Sequence, residues 1–202
     1  MPQSPEIVQI PSEDNIPKPP VESGIFGDVK TTDWFYSQMV ALKDAGIVSG
    51  YDDGNFYPNK LVSREEFLKM LLVAANVELS ETTEGFSDVN ADDWFVPYVY
   101  TAKEKGIAGG VTHTEFGIGM AIRRQDMAVM IFNALGIEFD AEDITDTFTD
   151  DNKIAKYAYN AVYAMKANGF INGYETGDFN PAGQLTRAEA TKVIYMVMEH
   201  LK

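Results

Sequence analysis

The chain has no cysteine and only two histidines among its 202 residues. The first absence removes disulfides, thiolate metal sites and a cysteine nucleophile from consideration. The second leaves His113 and His200 in different elements, so neither an imidazole metal site nor a histidine-based triad can be assembled from the sequence. Cations are scarce as well. Sixteen Lys and Arg stand against 31 Asp and Glu, a formal charge of −15, so the basic footprint that nucleic acid requires is missing and an anionic membrane surface is disfavoured likewise. No stretch approaches the ~18 apolar residues of a membrane span, and the N-terminus lacks a charged region followed by an apolar run, so neither a transmembrane helix nor a signal peptide is expected. Phosphate-binding loops, dinucleotide fingerprints and H-E-x-x-H motifs are absent, and no cofactor is implied. Asp52-Asp53-Gly54-Asn55 lacks the spacing and closing Glu of a calcium loop, so no metal site is assigned.

Most of the nine prolines fall in residues 1–24, a polar stretch that reads as an extended linker, either a spacer from another module or a plain terminus. The remainder of the chain is organised around Gly46-Ile47-Val48-Ser49-Gly50-Tyr51-Asp52-Asp53-Gly54-Asn55-Phe56-Tyr57-Pro58 and the Ser63-Arg64-Glu65-Glu66 that succeeds it. Gly46 stops a helix, Asp53-Gly54 makes a tight turn, and Ser63 with Glu66 forms the S-x-x-E box of a new helix start. The same joint returns from Gly106 through Phe116 to Arg124, and from Gly169 through Phe179 and Pro181 to Arg187. Arg64, Arg124 and Arg187 recur at intervals of 60 and 63 residues, and Gly50, Gly110 and Gly173 keep the same intervals, so the chain is a threefold internal repeat.

Each repeat predicts two helices. In the first, Asp33 is placed to cap a helix from Trp34 to Ala45 with Met39, Leu42 and the Trp34 ring turned inward, and a second helix from Arg64 to about Asn76 is too broadly apolar for a peripheral place. The second repeat predicts Val99 and Ala102 inward and a helix from Arg124 to Leu135; its joint departs from the pattern, with Ile118 where proline should stand and Arg123 in place of the capping hydroxyl. Its helix start should be the loosest of the three. The third puts Tyr157 where Trp34 and Trp94 stood, Val162 and Met165 inward, and a last helix from Arg187 to His200. Leu71, Ile131 and Ile194 fall at equivalent positions and predict one layer of a core. The fold expected is mainly α: a pseudo-threefold arrangement of three helix-loop-helix repeats (about 26–79, 86–139 and 148–202, within a domain over 25–202) around a central three-helix bundle.

Three copies of Phe-x-Asp, a later aromatic, Gly-Ile-x-x-Gly-Tyr and Thr-Arg-Ala-Glu, complete or in variant form, resemble the S-layer homology (SLH) family from Phe26 to Lys202. The resemblance implies three second helices at the centre. It also implies a non-enzymatic, extracellular module of the cell wall or S-layer that holds an exported protein non-covalently to the bacterial envelope by binding a secondary cell wall polysaccharide, often ending in a ketal-pyruvylated amino sugar. A cargo module joined upstream, with Met1 as an expression start within a longer precursor, belongs to the same expectation. Two other classes stay open: a protein-protein or self-assembly module of a surface layer, and a glycan hydrolase, for which no carboxylate pair is singled out.

Candidate ligand-binding residues come in three sets. Arg64, Arg124 and Arg187 occupy the first turn of a helix, where the dipole disfavours a cation and where Arg64 is expected to be exposed. They either offer a carboxylate a bidentate partner beside free backbone donors, or fasten neighbouring repeats through Asp28, Asp88 or Asp151. Trp34, Trp94 and Tyr157 are either core residues or platforms on which a sugar ring stacks. Gly50, Gly110 and Gly173 either let a ligand approach the backbone or supply positive φ. The resemblance implies grooves in which the arginine of one repeat faces the aromatic of the next, pairing Arg64 with Trp94, Arg124 with Tyr157 and Arg187 with Trp34.

Overall fold

A computed structural model describes residues 24–82, 85–140, 142 and 144–202. The expected linker over 1–24 lies, but for Gly24, outside them. The fold is mainly helical: α1 (Tyr36–Asp44), α2 (Arg64–Ala74), α3 (Val96–Glu104), α4 (Arg124–Leu135), α5 (Tyr159–Ala167) and α6 (Arg187–His200). The second helix of each repeat begins where its sequence says it should. Ser63 and Thr186 both close reciprocal capping boxes with Glu66 and Glu189, whereas Arg123 makes no side-chain cap. The first helices begin later than expected. Asp33 and Asp93 accept from the N–H groups of Lys30 and Asn90, in the turn before the helix. Phe35 and Phe95 then occupy the N-cap positions without a side-chain cap. This shift turns Trp34 out of the core, to 58 % exposure, while Phe35 takes the buried place expected of it.

The six helices interlock in a cycle. α3 packs on α2, α5 on α4 and α1 on α6, so each repeat's first helix lies against the second helix of the repeat before it; α2 also packs on both α4 and α6. Leu71, Ile131 and Ile194 are fully buried in one core drawn from all three repeats. Below the second helices a ring of hydrogen bonds ties the repeats together. Val62 N–H donates to Leu185 O (3.0 Å), Leu185 N–H to Ile122 O (3.3 Å) and Ile122 N–H to Val62 O (3.0 Å). A second ring lies next to it: Arg64 N–H to Met120 O, Arg124 N–H to Gly183 O and Arg187 N–H to Lys60 O. The first free N–H of each second helix, an orphan in an isolated helix, is thereby satisfied by another repeat. The pseudo-threefold arrangement expected from the repeat would produce such rings.

Candidate functional site

Each joint is held at one aromatic residue from two sides. Asp28 accepts from Phe56 and Tyr57 N–H (2.7 Å each), Asp88 from Phe116, Gly117 and Ile118 N–H (2.8, 2.8 and 3.0 Å), and Asp150 from Phe179 and Asn180 N–H (2.7 and 2.9 Å). The third bond of Asp88 exists because Ile118 has the N–H that Pro58 and Pro181 lack. Burial pulls the Asp88 carboxyl upward, but the three donors outweigh it and hold it below the usual 3.8. The carbonyls of the same aromatics receive an arginine from the preceding repeat in the cycle: Arg64 Nε donates to Phe116 O (3.0 Å), Arg124 Nε to Phe179 O (2.8 Å) and Arg187 Nε to Phe56 O (2.9 Å). The arginines therefore do fasten repeats together, through backbone carbonyls. The Asp28 and Asp88 carboxylates, expected as their partners, bind backbone N–H groups instead. The equivalent residue in the third repeat is Asp150; Asp151 is bonded to the Tyr163 hydroxyl at 2.5 Å.

Beyond that shared bond the three guanidinium groups differ. Arg64 is 5 % exposed and uses every nitrogen, Nη2 donating to Gly109 O (3.0 Å) and Nη1 pairing with Asp126 (3.3 Å). Burial lowers its pKa, and the Asp126 charge opposes that. Arg187 is 9 % exposed, donates from Nη2 to Ser49 O (3.0 Å), lies over the rings of Tyr51 and Phe56, and has Glu66 only at 4.0 Å. Arg124 is half-buried, lies over Tyr174 and Phe179, and has no ion pair among the described residues.

Two cavities open beside these arginines. One, of about 430 Å³, is lined by Arg64, Gly109, Gly110, Arg123, Asp126 and Tyr157, with Val111, Met120 and Val129 among its apolar members. The other, of about 580 Å³, is lined by Arg187, Gly50, Tyr51, Glu66, Lys69 and Trp94. Trp94 and Tyr157 stand at 53 % and 63 % exposure, far from the burial usual for such rings in a core, and the Lys69 ammonium lies 5.4 Å from the Trp94 ring. The Tyr157 hydroxyl donates to Asp126 at 2.5 Å and accepts from Gln125 at 3.2 Å; burial and that carboxylate push it up to about 12.

This places the expected residues in different partnerships. Arg64 meets Gly110 and Tyr157, not Trp94, and Arg187 meets Gly50 and Trp94, not Trp34. Arg124 lies over Tyr174, in the joint that holds Gly173, and not with Tyr157. Trp34, exposed, precedes α1, the helix packed on α6. The reason is geometric. Trp94 and Arg64 are both associated with α2, but the arginine leaves its first turn sideways into the next joint, while Trp94 lies beside Lys69 and Met70 further along the helix. Each of these two grooves consequently takes its joint, its arginine and its aromatic from three different repeats. The glycines have a reason of their own. A Cβ would come within 2.4 Å of the Phe26 ring at Gly50 and within 2.3 Å of Glu115 O at Gly110, so the joint folding against itself demands glycine; only Gly173, at φ +76°, also needs the left-handed region.

Sequence reasoning passed over Asp126 and Arg123 as site residues. The signal was present: the second repeat alone replaces the Ser or Thr of the box with Arg and its Glu with Asp.

Comparison with known proteins bears on what this arrangement belongs to. The model of the S-layer homology domain matches residues 25–68, 85–128 and 147–191. An amylopullulanase of Thermoanaerobacterium thermosulfurigenes is 34 % identical over 178 residues, 86 % of this chain and 9 % of that protein. Exoglucanase XynX of Acetivibrio thermocellus is 32 % identical, over 88 % of this chain and 16 % of its own length, and a surface-layer 125 kDa protein of Lysinibacillus sphaericus is 30 % identical, over 80 % and 14 %. The chain thus spans less than a fifth of the length of each of these relatives. With helices, joints and family matches falling at the same three places, the chain belongs to the S-layer homology domain family, in three tandem copies, and is a cell-surface anchoring or surface-layer module.

Proposed function

We propose that the module anchors an exported protein to the bacterial cell wall by binding secondary cell wall polysaccharide in the grooves between repeats, with a ketal-pyruvylated amino sugar at the polymer terminus as the recognised unit. The module itself is non-catalytic, and chemistry of the kind named in its enzyme relatives would reside in a cargo module joined upstream. One observation carries the reading: a large aromatic, Trp94, stands exposed at the rim of a cavity that also holds a buried guanidinium. A ring left half in water has no packing reason to be there, and it suits the C–H face of a sugar. Lys69 and Arg187 supply charge for a carboxylate, and the backbone at Ser49-Gly50-Tyr51 supplies polar groups for an acetamido substituent.

The test is calorimetric binding to purified wall polymer before and after removal of its pyruvyl groups, with Trp94→Ala alongside. Loss of binding on depyruvylation, and loss of about tenfold or more with Trp94→Ala, is expected. Undiminished binding in both experiments would remove the pyruvyl group and Trp94 from recognition, and no binding of polymer by the wild-type module would point to a protein-protein or self-assembly surface instead.

A further inference from the structure

Arg64 lies at the base of its groove with every nitrogen engaged: Nε with Phe116 O, Nη2 with Gly109 O, Nη1 with Asp126. An incoming anion would have to compete with Asp126, a carboxylate of the protein's own that is also held by the Tyr157 hydroxyl. Arg123 lines the same cavity, is exposed, and has no side-chain hydrogen bond or ion pair among the described residues. Its backbone is fixed, because it sits in the bridge to Gln184 and its carbonyl accepts from Met127 N–H at 2.9 Å. The side chain therefore leaves a rigid position carrying an uncommitted planar fork, the geometry suited to bidentate contact with a carboxylate. The equivalent Ser63 and Thr186 hydroxyls are engaged in capping, so of the three N-cap positions before the second helices only this one carries a guanidinium.

We propose that Arg123, and not Arg64, is the residue that recognises the carboxylate of a glycan in this groove. The inference rests on reading the grooves as glycan sites, and its test separates the two. The probe is a ketal-pyruvylated N-acetylhexosamine glycoside, used as the free acid and as its methyl ester. Backbone amide signals in NMR titrations report locally, Gly109 and Gly110 on this groove and Gly50 on the groove of Arg187.

For the wild-type module the acid should titrate Gly109 and Gly110 with an affinity about tenfold or more above that of the ester. Arg123→Thr should erase that ratio while leaving the Gly50 titration unchanged, and Arg123→Lys should keep part of it. Because threonine restores the cap found at Thr186, the variant should melt no lower than wild type, so a misfolded protein cannot mimic the result. An acid-to-ester ratio that survives in Arg123→Thr overturns the assignment alone, as does titration of Gly50 without Gly109 and Gly110. No titration at any of the three glycines overturns the glycan reading and this inference with it.

Discussion

The groove of Arg187 and the groove of Arg64 share a scaffold and differ in where one carboxylate goes. At α2, Glu66 accepts from Ser63 N–H at 3.0 Å to close the capping box and is consequently 4.0 Å from Arg187. At α4 the N-cap is Arg123, which makes no cap, and the box acid is shortened to Asp126. Released from capping, Asp126 pairs with Arg64 at 3.3 Å and takes the Tyr157 hydroxyl at 2.5 Å. Val111 stands where Tyr51 lies over the arginine in the first joint. Two substitutions at a helix start thus turn an open cationic groove into one whose buried arginine is internally neutralised. A missing N-cap is usually counted as about 1 kcal/mol of lost helix stability; here it also redraws the electrostatics of a neighbouring site.

The largest effect should come from removing the most engaged arginine. Arg64→Ala would leave Phe116 O and Gly109 O without their donor and Asp126 without its cation, a loss of about 3 kcal/mol or more. Arg124 makes one side-chain hydrogen bond and no ion pair among the described residues, so Arg124→Ala should cost about 1 kcal/mol. For a domain of this size each kcal/mol moves the melting temperature by roughly 2–4 °C. Equal melting temperatures for the two variants would break the comparison.

Next comes the other side of the same peptide. Asp88→Ala strands three N–H groups and Asp28→Ala two, so the former should be the more damaging, by about 1 kcal/mol. Because the folded Asp88 carboxyl lies below its ordinary value, its contribution is present above about pH 3.8 and is lost as pH falls through the lower folded value. Asp88→Asn should therefore flatten the acid limb of a plot of melting temperature against pH. An unchanged acid limb would show that the three donors do not act on this carboxyl.

Much of this was legible from residue order. Both capping boxes, the uncapped Arg123 and the extent of α4 come from local chemistry, because each depends on residues within a turn or two of one another, and the repeat and the burial of Leu71, Ile131 and Ile194 come from the periodicity of 60 and 63 residues. The partnerships do not. That Arg64 should meet Trp94 is what the family resemblance implies, and sequence adjacency agrees with it, since α2 and α3 are consecutive and in contact. Adjacency does not encode that the arginine exits its helix into a joint some fifty residues away, and only the cyclic packing brings Tyr157 there. The exposure expected of Arg64 at a helix start fails for the same reason: what buries it is Phe116 and Gly109, neither near in sequence nor marked by composition.

Tyr157 gives a subtler handle on the comparison. Its hydroxyl, raised from 10.0 to about 12, contributes stability that is fully present below pH 10 and disappears as pH rises through about 12. Trp94 has no counterpart to this titration. Replacing Tyr157 with Phe should remove one late-titrating phenol from an ultraviolet titration and reduce the alkaline loss of stability, while Tyr163, raised by burial and Asp151, continues to titrate late. An unchanged titration would mean that the Tyr157 phenol does not ionise in this range.

The smallest expected effect is the most pointed. If the wiring of the Arg64 groove results from the lost capping box, then rebuilding the box should undo it. In Arg123→Ser combined with Asp126→Glu, the serine hydroxyl can accept from the N3 N–H and the longer carboxylate can reach back to the N-cap N–H, as Ser63 and Glu66 do in α2. The gain from capping, about 1 kcal/mol, is opposed by the loss of the Arg64 ion pair, so the melting temperature should rise by only a few degrees or not at all. The phenol reports more directly. With the carboxylate drawn away to the cap, the Tyr157 hydroxyl loses its acceptor and should titrate closer to 10, and Arg64 Nη1 becomes free to meet an anion from outside. Neither single substitution should achieve this, since serine without the longer acid leaves Asp126 unable to close the box, and glutamate without the hydroxyl closes only half of it. A Tyr157 titration in the double variant as late as in wild type would show that the carboxylate at position 126 is held by the groove itself, and that the missing cap is its companion and not its cause.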